Sequence, residues 1–92
     1  MELFHRESCS VRTQVNKNDL LANIRKYVEE EGYDYIETGA IRIEFEDGCI
    51  LIRIEEGDDS VTIGVEGRDK AYAVSLLDIA RNLVEDSIRK CS

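Results

Sequence analysis

Residues 41–66 read IRIEFEDGCILIRIEEGDDSVTIGVE, and this stretch decides the fold. It contains three short segments in which apolar and polar residues alternate. In the first segment, for example, Ile41 and Ile43 fall on the same face. Asp47-Gly48 is a strong hairpin signal between alternating segments, and residues 56–59 contain a second glycine-centred turn. The stretch therefore predicts a three-strand antiparallel meander with one buried face.

The flanking segments predict one more strand and two helices. Residues 3–15 alternate loosely, which favours a first strand with a frayed beginning. Helical spacing follows, with Asn16 as the N-cap and Gly32 at the end of the helix. Residues 67–70 open a second, longer helix. Its broad apolar face consists of Ala73, Leu76, Leu77, Ala80, Leu83, Val84 and Ile88.

These elements follow the order β-α-β-β-β-α. Residues 33–39 connect the first helix to the meander and contribute at most a short extended piece around residues 35–37. Two amphipathic helices cannot bury their apolar faces on each other and leave a half-apolar sheet bare. We therefore expect an α+β fold with two layers: a four-stranded antiparallel sheet with both helices on one face. Residues 1–92 are expected to form a single domain.

Charge and cysteine content exclude several classes of partner. The formal net charge is −8, from 12 basic and 20 acidic residues, which argues against binding to nucleic acid or to an anionic membrane. No run of 18 apolar residues and no signal peptide is visible. The three cysteines are widely spaced and odd in number, which favours a reducing compartment over a disulfide framework. We expect a cytoplasmic protein.

Two residues have chemistry that could serve a site. His5 is the only histidine, and no partner that would make it a general base is recognisable in the sequence, so an ordinary structural residue is favoured. Arg53 is either part of an anion site or a strand arginine paired with a neighbouring carboxylate. The acidic loop at residues 55–59 could bind a hard cation, but it lacks the spacing of a known calcium loop.

Several segments, taken together, resemble a known domain. They are His5-Arg6-Glu7 before an extended stretch, the segment GAIRIEFEDG at residues 39–48, the strand ILIR at residues 50–53, and the closing strand and helix. This pattern is similar to the C-terminal domain of the phosphohexomutases, the phosphomannomutase and phosphoglucomutase superfamily. The resemblance runs nearly end to end, and it implies a TATA-binding-protein-like α+β fold.

The chain departs from that family at the phosphate-binding loop. The family has R-P-S-G-T-E-P or a close variant, whereas this chain has RIEEGDD at residues 53–59, so that only Arg53 matches. Thr62 stands where the family usually has a further basic residue. The remnant of the ligand site that the resemblance implies is Arg53, Glu55, Glu56, Gly57, Asp58 and Asp59. Its four carboxylates repel phosphate, and we therefore expect that phosphate binding is lost.

Catalytic residues are not expected in this chain. The resemblance implies that the phosphorylated serine and the metal-binding aspartates of the phosphohexomutases lie in other domains. Nothing in these 92 residues resembles either of them. We therefore predict no catalytic residue, no metal ligand, no cofactor and no enzyme activity.

Three functions remain open at this point. The first is a non-catalytic, stand-alone relative of the mutase domain that acts as a binding or assembly module. The second is a small subunit that completes or regulates a phosphosugar mutase encoded on a separate chain. The third is a metal- or protein-recognition domain that uses the acidic loop. We favour the first, because the loop chemistry opposes phosphate and no catalytic set is present in the sequence. The expected partner is an unknown protein or a second copy, because edge strands invite pairing and no proline blocks them.

Overall fold

A computed structural model describes residues 4–54, 57 and 59–91. They form five strands and two helices. In chain order these are β1 (His5–Arg12), α1 (Lys17–Glu30), β2 (Asp34–Glu37), β3 (Ile41–Phe45), β4 (Gly48–Ile54), β5 (Ser60–Gly67) and α2 (Lys70–Cys91).

The sheet has the order β1-β5-β4-β3-β2, and every neighbouring pair is antiparallel. The prediction of four strands is wrong, because β2 pairs along the outer edge of β3, with Tyr35 opposite Ile43. Most of the four β2 residues are exposed, so their local pattern is weak. This strand forms because the free edge of β3 offers unpaired backbone N–H and C=O groups.

Both helices pack on the same face of the sheet, which confirms the predicted α+β class. The apolar side chains of the meander, such as Ile43 and Ile52, join the inward side chains of α1 and α2 in one core. The two helices also contact each other. Fifteen hydrophobic residues are buried in this core: Leu20, Ile24, Val28, Ile41, Ile43, Ile50, Ile52, Val61, Ile63, Val65, Ala73, Leu76, Ala80, Leu83 and Val84.

Helix α1 begins and ends as its sequence predicts. The Asn16 side chain accepts a hydrogen bond from the Asp19 backbone N–H at 3.0 Å, which is the N-cap interaction. At the other end Gly32 has φ +75°, a left-handed conformation that glycine adopts without strain. The Tyr33 N–H then donates to the Val28 carbonyl at 3.1 Å, which satisfies a carbonyl of the last turn.

Helix α2 spans 22 residues and is the longest element. The Asp69 side chain accepts a hydrogen bond from the Tyr72 N–H at 2.8 Å and satisfies an otherwise free donor of the first turn. Arg89 and Lys90 lie in the last turn, where positive charge favours the helix dipole. Among the described residues, no helix combines the length and the apolar character needed to cross a membrane.

Three glycines of the sheet differ in what surrounds them. A Cβ on Gly48 would lie 2.3 Å from the Glu66 carbonyl oxygen, and one on Gly67 would lie 2.9 Å from the Ala73 nitrogen. At both positions the close approach of backbone requires glycine. A Cβ on Gly64, in contrast, would meet no atom within 4 Å.

Truncation of a core isoleucine tests the position of the core. Ile52 is 1% exposed, whereas Ile36 is 53% exposed. We expect Ile52→Ala to lower the free energy of unfolding by about 2–5 kcal/mol, because it removes buried methyl groups and leaves a cavity. The same change at Ile36 should cost less than about 1 kcal/mol. Urea unfolding followed by circular dichroism measures both, and equal losses would contradict the assigned core.

A second pair of variants tests the glycine contacts. Gly48→Ala should destabilise the protein by at least about 2 kcal/mol, because its Cβ overlaps a backbone oxygen that cannot turn away. Gly64→Ala adds the same methyl group in open space and should leave stability unchanged or slightly higher. Thermal unfolding of the two variants gives the comparison. A destabilised Gly64→Ala protein would show that the surroundings of Gly64 are wrongly described.

Candidate functional site

The remnant of the phosphate loop follows the end of β4. Arg53 is exposed on the face of the sheet away from the helices, opposite Thr62 of β5. Gly57 has φ +78°, and the Asp59 carbonyl accepts a hydrogen bond from the Thr13 N–H at 2.8 Å. The other predicted loop residues, Glu55, Glu56 and Asp58, lie outside the described residues.

Arg53 has a neighbour that the sequence did not reveal. Arg12 lies on β1 opposite Ser60, so the antiparallel register places Arg12 and Arg53 on the same face with β5 between them. Within the described part of the chain, no ion pair involves either arginine. Three carboxylates of the adjoining loop lie outside that part, so the pairing of Arg53 with a neighbouring carboxylate stays a prediction. Two guanidinium groups beside the hydroxyls of Ser60 and Thr62 can donate hydrogen bonds to an anion.

A groove lies on the same open face, nearer the other end of the strands. It has a volume of about 580 Å³, and Ser8, Gly64 and Leu51 lie side by side across β1, β5 and β4. The remaining residues that line it are mostly charged or polar. They are Arg6, Glu7, Arg42, Cys49, Val65 and Glu66.

The charged groups around this groove form ion pairs. Arg6 Nε lies 3.0 Å from Glu66 Oε2, and Arg42 Nε lies 2.7 Å from Glu44 Oε1. The hydrogen bond to Glu44 is the largest of the effects that raise the pKa of Arg42. All four side chains are at least one-third exposed, so these pairs contribute little to stability. Their importance is that they fix the pattern of positive and negative charge across the face.

The surroundings of Cys49 disfavour a reactive thiolate. Burial raises its pKa most strongly, and the neighbouring carboxylates of Glu66 and Glu44 raise it further. Arg42 and Arg6 act in the opposite direction but do not outweigh these effects. Two arginines thus favour the thiolate, but the net direction of the shift opposes its formation.

His5 has a partner, contrary to the sequence-based expectation. Its Nε2 atom is hydrogen-bonded to Glu7 Oε2. Successive residues of a strand point to opposite faces, so residues two apart share a face, and this period brings the imidazole and the carboxylate together. The pair lies on the helix-covered side of β1, because Glu7 is opposite the buried Val65. It therefore lies apart from the arginines of the open face.

A second, smaller cavity of about 150 Å³ lies between the start of α1 and the ends of β2 and β4. Lys17 lines it, and its buried Nζ has no hydrogen-bond partner in the described part of the structure. Glu37, on the same cavity, accepts two hydrogen bonds from Arg25, at 2.8 and 2.9 Å. This interaction with Arg25 lowers the pKa of Glu37. The carboxylate nearest the cavity is thus already engaged.

A metal site receives no support from the described residues. They contain no group of three or more His, Cys, Asp or Glu side chains that could hold an ion. Three of the four carboxylates of the acidic loop fall outside those residues, so the hypothesis of a cation site in the loop stays a prediction.

Comparison with known proteins gives one informative similarity. No family model matches the chain. Over 86 residues the chain is 30% identical to a phosphoglucosamine mutase of Methanococcus maripaludis. The alignment covers 87% of this chain but 19% of the mutase, so the chain spans about a fifth of the length of this relative. The chain is therefore similar, over most of its length, to part of a phosphohexomutase.

The raised pKa of Cys49 predicts slow alkylation. In a protein in which Cys9 and Cys91 are replaced by serine, we expect Cys49 to react with iodoacetamide more slowly at pH 8 than a cysteine in an unstructured peptide. The rate should rise with pH and reach half its maximum at a higher pH than in the peptide. Mass spectrometry follows the reaction, and a half-maximum below that of the peptide would overturn the assignment.

Proposed function

We propose that this chain is a non-catalytic relative of the C-terminal domain of the phosphohexomutases and that it acts as a binding or assembly module. The observation that carries the proposal is the similarity to part of a mutase, combined with the loss of the phosphate-binding residues. The proposal includes a TATA-binding-protein-like fold, with which the antiparallel sheet and its two helices agree.

Charge at the loop supports the loss of phosphate binding. Residues 53–59 contain one arginine and four carboxylates, and Arg12 brings the local positive charge to two. A phosphate dianion ~5 Å from a single carboxylate is repelled by several kcal/mol at an effective dielectric constant of ~20, before screening by salt. Four carboxylates therefore outweigh two guanidinium groups, and a small phosphorylated substrate is disfavoured.

The site also lacks features that catalysis would require. On the open face, the described ionisable groups are arginines, the carboxylates of Glu44 and Glu66 in ion pairs, the exposed carboxylate of Asp34, and a thiol whose pKa is raised. A nucleophile or a general base needs an activated group within hydrogen-bond reach of a reacting atom. In contrast, a mixed surface of arginines, carboxylates and a leucine is typical of a contact surface.

A second function follows from the same similarity. Because the chain matches about a fifth of a mutase, it could complete a mutase that is made without this segment. Such a subunit would restore activity to a phosphoglucosamine mutase from which the matching segment has been deleted. Restoration of activity by this chain would favour the second function over the first.

Calorimetry with sugar phosphates tests the proposed function. We expect no saturable heat when glucosamine, glucose or mannose phosphates are titrated into the protein at millimolar concentration, because the loop repels the dianion. Arg12→Ala, Arg53→Ala and, as a control on α2, Arg81→Ala should all behave like the wild type. Saturable binding that disappears in the first two variants and persists in Arg81→Ala would refute the proposal.

A further inference from the structure

The open face of the sheet differs in charge from the rest of the protein. The charged strand residues that point to this face are Arg6, Arg12, Arg42, Arg53, Asp34, Glu44 and Glu66. Four arginines against three carboxylates leave these strand residues with a formal charge of +1, whereas the whole chain has −8. The excess of acidic residues lies in the turns and connecting segments, so the strand residues of this face do not themselves oppose the meeting of two copies.

Gly64 is a feature of this face that the fold does not require. It has no positive φ, and a Cβ at this position would meet no atom within 4 Å, unlike at Gly48 or Gly67. Glycine weakens the interior of a strand, and there it often marks a place where another backbone or a ligand approaches closely. Gly64 forms the floor of the groove, and Leu51 stands beside it on β4 as its cross-strand neighbour.

We propose that the open face is the docking surface for a second copy of this chain, and that Leu51 of each copy fills the groove above Gly64 of the other. A two-fold axis parallel to the strands, between β4 and β5, produces this arrangement. It places β4 of one copy over β5 of the other and β3 over β1. Leu51 and Gly64 then meet twice, once on each side of the axis, as a two-fold interface requires.

The charged strand residues in the row next to the groove match under the same operation. The row of residues next to Leu51 and Gly64 is Glu44, Cys49, Glu66 and Arg6, in the strand order β3, β4, β5 and β1. The two-fold axis places Glu44 of one copy opposite Arg6 of the other. The ion pairs within each copy then extend into an alternating series: Arg42 and Glu44 of one copy, followed by Arg6 and Glu66 of the other.

The area of the face sets the expected affinity. Four overlapping strands at a spacing of ~4.8 Å, each with a length of roughly 20–26 Å, offer about 400–500 Å² per copy. This is less than the ~800 Å² per partner of a standard stable interface, and weak complexes lie at this lower end. We therefore expect a dimer that dissociates in the micromolar range. The inference concerns this chain alone and does not depend on the proposed function.

Sedimentation velocity of the 92-residue chain tests the dimer. From about 5 μM to about 500 μM, a range around the expected dissociation constant, the average mass should rise from 10.5 kDa toward twice that value. Gly64→Val fills the groove and should remain a monomer throughout, without a lower unfolding temperature. A wild-type protein that stays at 10.5 kDa across the range overturns the proposal and leaves only a different partner for this face.

Charge-swap variants test the register of the interface. Glu44→Arg and Arg6→Glu should each weaken the dimer at least about tenfold, and the double variant should restore most of the affinity. Within one copy these residues are three strands apart, ~14 Å, so the rescue cannot arise inside a monomer. Asp78→Arg, on the exposed side of α2, is the matched control for a two-unit change in net charge and should not weaken the dimer. A dimer that tolerates Gly64→Val, or one that the double variant does not rescue, places the interface elsewhere and refutes this assignment.

Discussion

The burial of one apolar face of the meander beneath two helices is the interaction on which the rest of the structure depends. Branched side chains of β3, β4 and β5 meet the inward faces of α1 and α2 in a single core. At ~25 cal/mol per Å² of apolar surface, this burial is the dominant stabilising term in a domain of this size. It also fixes the strand register, because a shift by one residue would turn every buried isoleucine toward solvent.

The same burial determines which residues the open face of the sheet displays. Once both helices occupy one face, the other face of the sheet stays open and displays the alternate residues of each strand. These residues include paired arginines and carboxylates, a leucine, and a glycine whose conformation and surroundings do not require glycine. The excess of acidic residues lies in the turns and connecting segments rather than in the strands of the open face or in the two helices.

The two ends of the open face carry different functional groups. At one end Arg12 and Arg53 lie beside hydroxyl groups, but the adjoining loop at residues 55–59 contains four carboxylates. At the other end the groove above Gly64 combines an apolar side chain with ion pairs of both signs. The first arrangement opposes a small dianion, whereas the second suits a surface of similar shape and mixed charge.

The sequence by itself determined the elements that rest on local patterns. Period-two alternation and the Asp47-Gly48 signal predicted the meander, although the turn itself is Glu46-Asp47 and Gly48 begins β4. The capping residues Asn16 and Gly32 predicted the ends of α1. Both signals depend on neighbours in the chain, which sequence displays directly. The α+β class followed, because amphipathic helices and a half-apolar sheet must cover each other.

Only the tertiary structure decided what depends on contacts between distant segments. The short strand β2 exists because β3 offers a free edge, although its own four residues are mostly exposed. The pairing of β1 with β5, which are some 50 residues apart in the chain, places Arg12 on the same face as Arg53. The same register places Gly64 between Ser8 and Leu51. Such pairings set the composition of the open face, and no local propensity encodes them, because each depends on which strand lies alongside.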